Sequence, residues 1–131
     1  MWMYSKINIK DAEWRTQTDS EPAVKMLGYE LKVRDEPRPN KMRFNYFHYD
    51  AGDVVRRHKQ KEQEEVFYVE RGSGTMEVGG EDFPYETGDV IVIDEGPWRQ
   101  ITADEETRIF AVGAPNVRDD AVFEDELDDV E

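Results

Sequence analysis

Apolar residues in this chain come in short runs divided by glycine and acidic turns, and no segment keeps an i, i+3, i+4, i+7 spacing for three helical turns. The runs predict strands at 24–33 (interrupted by Gly28), 43–49, 66–69, 75–78, 89–93 and 108–112. Residues 35–40, 50–53 and 71–74 carry the turn chemistry between them, and the pair Gly79-Gly80 suits a tight primed hairpin turn. Residues 89–93 are nearly all apolar and predict a strand covered on both faces. Phe67 and Val69 share a face with Glu65 by the period of two, so they are expected to line an interior. Strands at this spacing, without intervening helices, predict an all-β fold: one antiparallel barrel or sandwich.

Composition narrows the function classes. At 131 residues the chain has the size of a single domain with a real core. Its net charge of −14 argues against nucleic acid and anionic membranes as partners. With no cysteine, disulfides and thiolate metal sites are excluded. No apolar run approaches the ~20 residues of a membrane helix, and residues 1–10 lack the apolar core of a signal peptide, so a soluble, cytoplasmic protein is expected. The acid is uneven: residues 118–131 hold eight acids and one base, half the net charge. They are expected to form a solvated acidic tail after a domain spanning 1–117, although Val122, Phe123 and Leu127 offer positions for docking it on the barrel. The acid excess also suggests adaptation to a salty cytoplasm, where dense carboxylates retain water and counterions.

Two stretches carry more than generic β pattern. The first runs from Gly52 through His58, Gln60 and Glu65 to Gly72; the second runs from Gly88 through Asp94 and Gly96 to Arg99. With fifteen residues between Gly72 and Gly88, the spacing resembles the paired motifs of the cupin superfamily, over about residues 40–112. That resemblance implies a jelly-roll barrel with a pocket in its mouth, pairing as a homodimer, with the segment around 24–33 placed to cover a partner's edge. It also implies that the residues at four motif positions converge, in most members on a metal held by three imidazoles and a carboxylate. Here two of the expected histidines are replaced, by Gln60 and Arg99. A guanidinium has no lone pair to give a metal and brings a positive charge. No cofactor is therefore expected; His58, Glu65 and Gln60 are the only set left for a metal.

Two readings of the pocket stand side by side. In one, Glu65 and Arg99 form an ion pair where the metal would be, with His58 and Gln60 around it. In the other, Arg99 holds a carboxylate or phosphate of a ligand. Trp98 is a candidate platform for a ring. Alternation along residues 43–49 leaves open whether His48 faces the pocket. There is no nucleophilic triad and no phosphate-cradling glycine loop. Three functions follow: metal-free binding of a small polar or anionic metabolite, a metal enzyme of dioxygenase or isomerase type with a reduced ligand set, or a vestigial pocket on an interaction protein. Reaction and substrate are open at this point.

Overall fold

The computed structural model describes residues 3–16 and 22–127. Among these, two five-stranded antiparallel sheets face one another. One contains β1 (Ala23–Met26), β2 (Arg43–Tyr49), β4 (Glu64–Arg71), β7 (Val90–Ile93) and β9 (Thr107–Ala114), in the order β1-β2-β9-β4-β7. The other contains β3 (His58–Gln60), β5 (Ser73–Val78), β6 (Glu81–Glu86), β8 (Arg99–Ala103) and β10 (Ala121–Phe123), in the order β10-β3-β8-β5-β6. Two short helices, α1 (Leu27–Val33) and α2 (Glu124–Leu127), complete the jelly roll. No helix among the described residues is long and apolar enough to cross a membrane.

The core lies between the sheets and is built from alternate residues. On β4, Phe67 and Val69 are buried while Val66 and Tyr68 are exposed, as the period of two requires. They meet Met76, Tyr85, Ile93, Ile101 and Ile109 from the other strands. At the β5–β6 hairpin, Val78 opposes Glu81, and Gly79 and Gly80 take φ of +57° and +89°, the primed turn that matches strand twist. Gly74 has a different reason to be glycine: a Cβ there would collide with the Thr102 carbonyl and the Tyr85 hydroxyl.

Three expectations need correction. The segment 24–33 is not one strand: β1 stops at Met26 and α1 follows. Leu27 and Leu31, four apart, are both buried, and Glu30 is nearly buried and receives a hydrogen bond from Arg15 Nη2 at 3.1 Å. That is a helical face, and the run never alternated as a strand should. Second, β7 is not covered on both sides. It is an edge strand paired to β4 alone, and Val90 and Val92 are 63% and 64% exposed. The exposed Val66 and Tyr68 continue the same outer stripe.

Third, the acidic end is not solvated throughout: part of it docks on the barrel, as Val122 and Phe123 allowed. Of the residues described there, Ala121–Phe123 pair with β3, and Asp120 is 2% exposed. Its carboxylate accepts hydrogen bonds from the backbone N–H groups of Glu62 and Gln63, at 3.0 and 2.9 Å. Beyond it, Arg56 meets Asp125 at 2.7 Å and Glu126 at 3.3 Å, and Arg57 pairs with Glu124. Residues 128–131 of the predicted tail lie outside the described residues.

Candidate functional site

A cavity of about 770 Å³ opens at one end of the barrel. Phe47, Tyr49, Val55, Phe67, Ile93 and Ile101 supply apolar wall; His58, Gln60, Glu65 and Arg99 supply its polar groups. Strand pairing brings the polar four together. His58 and Gln60 are alternate residues on β3, His58 lies opposite Arg99 on β8, and Glu65 enters from β4 in the other sheet.

Arg99, 1% exposed, donates from Nη1 to Glu65 Oε1 at 2.6 Å. Its Nη2 donates to the carbonyls of Asp94 (2.8 Å) and Pro97 (3.2 Å), and Nε donates to Pro97 at 3.3 Å. The guanidinium is thus pinned to the loop before β8 as well as to Glu65. The contact between Glu65 and Arg99 that the first sequence reading expected is present. Glu65 Oε2 has no protein partner among the described residues, and Gln60, 4% exposed, leaves Oε1 buried and unpaired.

His58 is oriented by the backbone. Its Nδ1 lies 2.9 Å from the Arg56 carbonyl, which only accepts, so Nδ1 carries the proton and Nε2 presents a lone pair. Burial is the main force holding its pKa below the ordinary value, and the Arg99 charge adds to it; the Arg56 carbonyl and Glu65 oppose the shift. The Phe123 ring, 5.7 Å from the imidazole, is part of that cover, and the Arg56 guanidinium lies 3.9 Å from the Phe123 ring centroid. A lowered His pKa means that the unfolded chain binds the proton more readily. Stability should therefore fall as pH drops below about 6.5, the unfolded value. Phe123→Ala is expected to move the His58 midpoint up toward that value. NMR titration of the ring reads it, and an unmoved midpoint would dismiss Phe123 as the cover.

Two candidates fall elsewhere. Trp98 is not among the cavity-lining residues: Lys59 and Arg57, the chain neighbours of His58, lie over its ring at 4.8 and 5.5 Å. His48 likewise alternates with the inward Phe47 and Tyr49. It stands outside, near Trp14, Asp50 and Glu106. Phe123, Asp120 and the carbonyls of Asp94 and Pro97 were not assigned to the site from sequence. For Phe123 the signal was an apolar pair inside an acidic run; backbone carbonyls leave none.

The residues present do not fit a divalent metal. His58 Nε2 is the one free nitrogen donor, Glu65 is engaged by a cation, and Arg99 puts positive charge at the centre. Among the described residues no three His, Cys, Asp or Glu side chains converge to hold one.

Fold and site together define an antiparallel jelly-roll barrel with a polar cavity at its mouth. The chain belongs to the cupin family, whose cupin-domain model matches residues 45–113. Its barrel is similar to solved structures of KdgF from Halomonas sp. (17% identity over 88% of this chain and 97% of that one, TM-score 0.73). It is also similar to a protein of Thermotoga maritima described as a predicted oxalate decarboxylase (18%, 85% and 99%, TM-score 0.71). A third likeness is to Streptomyces Pac13 with uridine, described as a nucleoside dehydratase (12%, 92% and 90%, TM-score 0.72). At these identities the likeness concerns the fold. Among curated proteins none matches this chain in sequence.

Proposed function

We propose that this protein binds a small polar molecule in the mouth of its barrel without a metal. The observation that carries the reading is the Glu65–Arg99 ion pair, formed by two residues at motif positions that in the resembled family hold a metal. Around it the cavity offers unpaired polar atoms on His58, Gln60 and Glu65 against an apolar wall, the usual make-up of a ligand site. The exposed outer stripe of Val66, Tyr68, Val90 and Val92 fits pairing of two copies through their sheets, and the charge of −14 fits a salt-rich cytoplasm.

Metal analysis is the direct test. Protein purified without chelator is expected to carry well under one equivalent of transition metal. Stoichiometric iron, manganese, nickel or zinc that disappears in Glu65→Ala would replace this reading with a metal-dependent enzyme built on His58, Glu65 and Gln60.

A further inference from the structure

We propose that the cavity floor recognises a neutral ring bearing hydroxyl groups, a sugar or cyclic polyol, whose hydroxyls donate hydrogen bonds to Glu65 Oε2 and His58 Nε2. The inference rests on the binding function proposed above and names its ligand class.

Arg99 is the residue that would invite an anion, yet four of its five N–H donors are engaged, which leaves a single Nη1 hydrogen. Nε and both Nη2 hydrogens go to the Asp94 and Pro97 carbonyls, and Nη1 gives one hydrogen to Glu65. The forked pair of N–H groups that grips a carboxylate or phosphate is not available. An incoming anion would also meet the Glu65 carboxylate and lose its hydration.

What the floor does present is acceptor capacity. Glu65 Oε2 has no partner among the described residues, and the His58 tautomer fixed by the Arg56 carbonyl leaves Nε2 as an acceptor. The buried Oε1 of the Gln60 amide is unpaired among the described residues. Each hydroxyl donates one hydrogen and also accepts, so the several hydroxyls of a polyol can serve these acceptors in turn; a fully deprotonated anion has no hydrogen to give them. Phe47, Phe67, Ile93 and Ile101 on the wall suit the C–H faces of a ring. Of the other bases that line the cavity, Lys32, Arg38 and Arg43 are exposed, and Arg56 is engaged by Asp125 and Glu126.

Calorimetric titration of the full chain at neutral pH tests this with D-glucose, D-ribose and myo-inositol, against glutarate, inorganic phosphate and per-O-methylated glucose. At least one polyol is expected to bind, with the anions and the methylated sugar about tenfold weaker or worse. His58→Leu keeps apolar volume and removes the acceptor, along with the hydrogen bond to the Arg56 carbonyl; it is expected to lose about tenfold in polyol affinity while still melting in one cooperative transition. Tighter binding of glutarate or phosphate than of every polyol would overturn the ligand class and leave small-molecule binding standing. Equal polyol affinity in His58→Leu, or equal binding of the methylated sugar, would remove the donated hydrogen bonds. If none of the probes binds, the binding function itself fails and this inference with it.

Discussion

Arg99→Met and Glu65→Leu are each expected to cost about 3–5 kcal/mol of stability, and the double replacement less than their sum. The pair lies where water cannot stand in for a lost partner: Arg99 is 1% and the Glu65 side chain 13% exposed. Removing either side leaves the other charge in a desolvated place, which is the expensive event. The contact itself at 2.6 Å is worth far less net, because both ions gave up hydration to make it. The two single variants should not be equal. Arg99→Met also strips the donors from the Asp94 and Pro97 carbonyls, whereas Glu65→Leu leaves those bonds in place. The double variant should accordingly resemble Arg99→Met rather than the native protein. Denaturant unfolding of all four proteins measures the coupling, and strictly additive effects would mean that the two groups do not sense each other.

The fold was legible because its signals are local. Glycines at motif spacing, the Gly79-Gly80 turn and the alternation along β4 each follow from backbone geometry that only certain residues permit. The pairing of Glu65 with Arg99 was legible too, since a family spacing puts both at one centre and an unpaired charge there is costly. Failures came where neighbours decide. The run 24–33 has strand-like content, but Leu27 and Leu31 found a helical face against β2, which composition alone does not reveal. Residues 89–93 look interior because both faces are apolar, yet the sheet ends there and leaves one face bare in the single chain. Trp98 lies in the loop before β8, where strand alternation does not set its direction, and it stands among Arg57 and Lys59 rather than in the cavity lining. The three hydrogen bonds from Arg99 to carbonyls depend on the path of the loop 94–98, which no side-chain pattern encodes.

Deleting residues 119–131 is expected to lower the melting temperature on the order of 5–10 °C at every salt concentration, while flattening its rise with KCl. Two opposed effects meet in this variant. The deletion removes eight acids and no base, taking the net charge from −14 to −6, so carboxylate repulsion falls. For the full chain that repulsion predicts a melting temperature climbing from millimolar to molar KCl as the charges are screened. Against this stands Asp120, whose buried carboxylate holds the N–H groups of Glu62 and Gln63; Gln63 is itself 1% exposed. Hydrogen bonds to a charged acceptor are worth about 1.5–3 kcal/mol, and orphaned buried donors cost about as much again. The deletion also unpairs β10 from β3 and uncovers His58. The outer ion pairs to Asp125 and Glu126 involve exposed side chains and weigh little in this balance. Burial decides the sign: the lost anchor outweighs the relieved repulsion. Asp120→Asn keeps the side-chain volume and one acceptor, and it should reproduce part of the loss with the acidic run otherwise intact. A truncated chain as stable as the full one would return the segment to the role of a solvated end, and a flat KCl profile in the full chain would dispose of the salt adaptation.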